Sequence, residues 1–170
     1  AGVFNMVQGS GAVLGTALAI AFARTPMTLA NAGWDLQAVT GGRFTLGLGS
    51  QIRPHIEQRF SMPWSRPADR MRELVLGVRA IWDTWQHGTP LDFDGEFYTH
   101  TRMVPAFDPG PSPHGPPPIL VGAVGPRMTE VAGEVADSCE WRGLRGVGEE
   151  RRHVGREVAS CRCRGGGHVL

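Results

Sequence analysis

The 170-residue chain contains no lysine; all seventeen basic residues are arginine, which points to coding bias rather than chemical design. Against them stand sixteen acidic residues, a net charge of +1. That balance lacks the basic excess that marks a nucleic-acid partner. Cysteine is scarce. The three present, Cys139, Cys161 and Cys163, are odd in number and crowded near the end, which excludes a complete disulfide framework and makes a reducing compartment the expectation. Long apolar runs are missing too. The longest, Gly9 to Ala23, has 15 residues, too few to cross a bilayer comfortably. It ends in Ala21-Phe22-Ala23, as the core of an export leader does, but residues 1–8 carry no positive charge. A cytoplasmic protein with no membrane partner is expected. Also absent are a Ser-His-Asp grouping on a nucleophile elbow, a Walker loop and a His-Glu-x-x-His pair.

What is present sets the class. At 41% apolar and 19% charged, the chain has enough apolar residues for a buried core, which excludes a disordered tail or fibrous repeat. Its length allows about one domain. Twenty-four glycines and thirteen prolines imply many turns and argue against a helical bundle.

Val13 to Phe22 is an apolar run of strand length, the pattern of a parallel strand covered on both faces. Thr25-Pro26 gives an N-cap and a first-turn proline, and Leu29, Ala32, Gly33, Leu36 and Val39 continue at helical spacing until Gly41-Gly42. Phe44 to Leu48 is a second strand, completing a βαβ unit. A proline-marked loop through Pro54, Pro63 and Pro67 leads to the strongest helix, whose stripe is Met71, Leu74, Val75, Val78, Ile81, Trp82 and Trp85. Leu91 to Tyr98 carries an Asp-Gly turn signal and predicts a small hairpin. Residues 105–118, with seven prolines, predict an extended surface loop. Ile119 to Ala123 is a third buried strand, and Gly125-Pro126 opens a helix through Met128, Val131 and Ala132 that ends at Glu134 to Asp137. The rhythm is that of an α/β barrel or doubly wound sheet, with too few strands to close either.

The character then changes. Residues 1–138 hold ten Arg and twelve Asp or Glu, whereas 139–170 hold seven Arg and four Asp or Glu. This divides the chain into a domain at 1–138 and a disordered or non-native tail at 139–170. Cys161, Cys163 and His168 lack the paired spacing of a zinc site, and no metal is expected.

Few motifs carry chemistry unaided. Gly9 to Gly15 resembles a dinucleotide fingerprint, but its glycines precede a strand instead of following one. Gly47-Leu-Gly49-Ser50-Gln51 ends a strand, where glycines let backbone amides approach a ligand and Ser50 and Gln51 can supply hydrogen bonds. Val124-Gly125-Pro126-Arg127 joins a strand end to a helix N-terminus, a place for phosphate. Taken alone, both read more readily as plain structural turns. His55 is a candidate acid, base or ligand contact, or simply a loop histidine.

The ordered series Leu14-Gly-Thr16, Arg24-x-Pro26, Gly42 to Gln51, His55-x-x-x-Arg59-Phe60, Arg72-Glu73, Arg79 to Trp82, Phe93 to Tyr98, Pro118 to Pro126 and Ala132 to Asp137 resembles the luciferase-like monooxygenase superfamily. Within it, the series is similar to the branch using the deazaflavin coenzyme F-420. The resemblance runs over residues 10–138 and implies an α/β fold, a partial (α/β)8 barrel with its site at the carboxyl ends of the strands. It implies that Thr16 and Ala17 lie where relatives bulge against the flavin ring. Ser50, Gln51 and His55 match ring or ribityl contacts, and Val124, Gly125, Pro126 and Arg127 match the turn holding the cofactor tail and phosphate. The implied activity is hydride transfer between reduced F-420 and a small organic substrate, with relatives often forming a homodimer. FMN-dependent monooxygenation and a catalytically inactive remnant are the alternatives. Relatives have roughly seventy residues before Gly9 and further barrel strands after Asp137, so the resemblance implies a central fragment with a non-homologous end.

Overall fold

The computed structural model describes residues 13–141. Its strands are β1 (Leu14–Gly15), β2 (Ala19–Ile20), β3 (Phe44–Gly49), β4 (Phe93–Asp94), β5 (Thr99–His100), β6 (Ile119–Ala123) and β7 (Ser138–Trp141), and its α-helices are α1 (Pro26–Val39), α2 (Pro67–His87) and α3 (Pro126–Val135). The main sheet runs β1-β3-β6-β7, with β2 also on β3, and every pairing in it is parallel. Leu46 faces Ile119 and Gly49 faces Gly122 across its centre. β4 and β5 form the separate antiparallel hairpin.

The expected single strand over Val13 to Phe22 is instead two short strands separated by Thr16–Leu18. The reason is the glycine stripe beneath. A Cβ at Gly47 would run into the Thr16 carbonyl, and one at Gly49 or Gly122 would meet the Leu18 side chain, so the segment sinks onto the sheet where side chains are missing. The Ala17–Leu18 peptide in this segment is cis. Sequence also missed the π-helical turn His55–Arg59 and the strand β7, which pairs with β6 and straddles the boundary drawn after residue 138. Cys161, Cys163, His168 and the rest of the tail from 142 lie outside the described residues.

The helices follow their sequence signals. Thr25 caps α1 by accepting the Thr28 amide at 3.2 Å, with Pro26 in the first turn. The seven-residue stripe of α2 is at most 1% exposed throughout. Against it packs α1, where the Trp82 indole donates to the Ala30 carbonyl at 3.0 Å and its ring lies over Gly33. At the far end of α3, Asp137 accepts the Ile119 amide and the Arg79 guanidinium, both at 2.8 Å, tying β6 to α2.

The hairpin hangs on one side chain. Glu73 of α2 accepts the backbone amides of Glu96, Phe97 and Tyr98 at 2.6 to 3.0 Å. Within the hairpin, His100 has a buried Nε2 with no hydrogen-bond partner among the described residues, and burial lowers its pKa below 6.5. The unfolded chain therefore binds the extra proton more readily. Stability is full above pH 6.5 and declines as pH falls below it. Urea midpoints measured from pH 7.5 to 5 should show this decline, and His100→Gln should flatten it; an equal slope in both proteins would count against His100.

Candidate functional site

The carboxyl ends of β3 and β6 and the Thr16–Leu18 segment between β1 and β2 open into one cleft of about 880 Å³. Its floor is Ala17, Leu18, Gly49 and Gly122, one rim is Ser50 to Arg53, another is Val124 to Met128, and Trp64 and the start of α2 form a wall. The volume lies within the range of small-molecule and cofactor sites. Ile52 and Val124, 57% and 64% exposed, present apolar surface at its mouth.

Seven of the nine residues marked in the sequence line this cleft: Ala17, Ser50, Gln51, Val124, Gly125, Pro126 and Arg127. The other two stand behind. Thr16 donates its hydroxyl to the Gly47 carbonyl at 2.7 Å, holding the bulged segment on β3. His55 is exposed and its Nδ1 lies 3.2 Å from Gln51 Oε1, so it orients a lining residue. Gln51 turns the chain out of β3 with φ of 60°, and the Ser50 hydroxyl donates to the Gln51 carbonyl at 3.2 Å.

Gly125 caps α3 with φ of 85° and ψ of 157°, a conformation open essentially to glycine alone. Pro126 brings no amide, so the first-turn amides of Arg127 and Met128 are left without intrahelical acceptors at the cleft. They suit an anion. The Arg127 guanidinium itself is engaged, with Glu130 at 2.8 Å and Asp69 at 3.3 Å. The hydrogen bonds to Glu130 and Asp69 raise its pKa, keeping it charged.

Sequence reasoning missed Leu18, Arg53, Trp64, Arg66 and Asp69, which line the same cleft. Arg53 pairs with Glu57 at 2.9 Å, and Arg66 pairs with Glu96 of the hairpin while lying over the Phe97 ring. Each of the three lining arginines is paired with at least one carboxylate, so the side chains at the rim are locally neutralised. No described helix is long and apolar enough to cross a membrane.

A parallel sheet with helices between its strands, and a cleft at the strands' carboxyl ends, is the arrangement of an (α/β)8 barrel, of which the described elements form an arc. The chain belongs to the luciferase-like monooxygenase family, whose model matches residues 11–159. It is 62% identical over 124 residues to an uncharacterized protein of Mycobacterium tuberculosis, a match covering 73% of this chain and 36% of that one. It is 32% identical over 112 residues to the F-420-dependent glucose-6-phosphate dehydrogenase of Nakamurella multipartita, covering 66% and 31% respectively. Its fold is similar to that of coenzyme F-420-dependent tetrahydromethanopterin reductase from Methanopyrus kandleri, with TM-score 0.59 at 23% identity, over 75% of this chain and 39% of that one. The chain thus spans about a third of the length of the curated relatives it matches.

Proposed function

We propose that this chain forms the cofactor-binding portion of an F-420-dependent oxidoreductase acting on a small organic substrate. The observation that supports this most is the gathering of Ala17, Ser50, Gln51 and the Val124–Arg127 turn around one cleft, from three segments distant in sequence. Gly125, over which nothing packs, leaves room for a flat ring to approach backbone, and Leu18, Trp64 and Val124 offer it apolar faces. The amides of Arg127 and Met128 suit a phosphate-bearing tail. The donor set therefore fits the deazaflavin. When bound, the deazaflavin supplies the hydride; the chain's own residues bind and orient it.

Fluorescence titration with oxidised F-420 and, separately, FMN tests the reading. Saturable quenching by F-420 with at least tenfold preference over FMN is expected. Preference for FMN would shift the reading to a flavin monooxygenase, and binding of neither would overturn it.

A further inference from the structure

Arg70 of α2 lies behind the cleft wall, only 6% exposed. Its Nε donates to the Tyr98 hydroxyl at 2.9 Å and its Nη1 to the Pro63 carbonyl at 2.5 Å. The guanidinium lies over the Phe22 ring at 5.0 Å and the Tyr98 ring at 5.6 Å. Among the described residues no carboxylate pairs with it, and Glu73, one helical turn further on, is committed to the hairpin amides. Tyr98 supplies no counter-charge either: burial, outweighing the Arg70 hydrogen bond, raises its pKa above 10 and keeps it a neutral phenol. A buried charge without a carboxylate is costly, and here only two neutral acceptors and two aromatic faces offset that cost.

Those partners share a location. Pro63 immediately precedes Trp64, and Phe22 meets Trp64 edge-on with centroids 5.7 Å apart. Tyr98 belongs to the hairpin that also anchors Arg66 through Glu96. Trp64 and Arg66 both line the cleft.

We propose that Arg70 is a positioning residue: it fixes Trp64 as the wall against which an aromatic ring lies, and lends an uncompensated positive charge to an anionic ligand in the cleft. The ligand half of this rests on the reading of the cleft as a deazaflavin site; the Trp64 half does not.

The test compares the full chain with Arg70→Met and Arg70→Lys, each prepared both with Trp64 and with Trp64→Phe so that the Trp64 emission is obtained by difference. In Arg70→Met the ligand-free Trp64 emission should shift to the red, and the F-420 Kd should rise about tenfold at a temperature where melting curves show the variant folded. Arg70→Lys, which keeps the charge, should recover part of the affinity. A lowered Tm with unchanged Trp64 emission and a Kd within twofold of the parent would overturn the proposal, leaving Arg70 a purely structural residue. If Arg70→Met does not fold, Tyr98→Phe removes only the acceptor hydroxyl; a threefold weaker Kd with a red shift is expected, and no change in either overturns the proposal. Should the parent chain bind no F-420, the deazaflavin reading and the ligand half fail together, and the emission shift alone decides the role in placing Trp64.

Discussion

Trp82→Ala should cost about 3–5 kcal/mol in the free energy of unfolding, the range for removing a large aromatic from a packed core. Trp82 is 1% exposed, its ring fills the space over Gly33, and its indole holds the Ala30 carbonyl. The substitution leaves a cavity at the α1–α2 contact, which α1 cannot close without leaving β3. Urea denaturation followed by circular dichroism measures the loss. Trp82→Phe, which keeps much of the volume but not the hydrogen bond, should lose distinctly less. A loss under about 1 kcal/mol for the alanine variant would mean that the contact relaxes freely, contrary to a close-packed interior.

Gly47→Ala should be nearly as damaging to the fold and more damaging to the cleft. The new methyl group would collide with the Thr16 carbonyl, a backbone atom on a segment also held by the Thr16 hydroxyl bond to Gly47. Overpacking of this kind typically costs about 1–3 kcal/mol. Because Thr16–Leu18 must lift off the sheet, cofactor titration should show at least a tenfold weaker Kd. Gly122→Ala is the informative contrast. There the methyl meets the end of the Leu18 side chain, which can rotate away, so the loss of stability should be smaller. The reverse ranking would show that the backbone of the bulged segment yields more easily than the leucine.

The parts of the fold legible in sequence are those where one local signal dominates. Thr25-Pro26 sets a helix start whatever surrounds it, and the α2 stripe specifies a buried face through its period alone. The bulge at Thr16–Leu18 was not legible in the local pattern and entered only through the family resemblance, because its cause is the glycines of β3 and β6, remote in sequence and visible as a surface only once the strands pair. β7 alternates polar and apolar residues in Ser-Cys-Glu-Trp, but four residues are too short a signal on their own, and the strand gains its place from the edge of β6. The site divides the same way. Ser50, Gln51 and the Val124–Arg127 turn sit beside glycine signals at strand ends. Trp64 and Arg66 reach the cleft along a loop with no motif, and Arg70 shows only as one more arginine on a helix.

The pairing of β3 with β6 also governs how this sheet is assembled in time. Leu46 must find Ile119, about 70 residues downstream, before the centre of the sheet exists. Closing so long a loop has an entropic cost that local contacts do not repay, and parallel sheets built this way fold slowly. The intervening chain shortens the search: once α2 has formed, Glu73 draws the hairpin back onto it and the effective distance between the two strands contracts. Formation of α2 with its hairpin is therefore expected to precede the β3–β6 pairing on which the cleft depends.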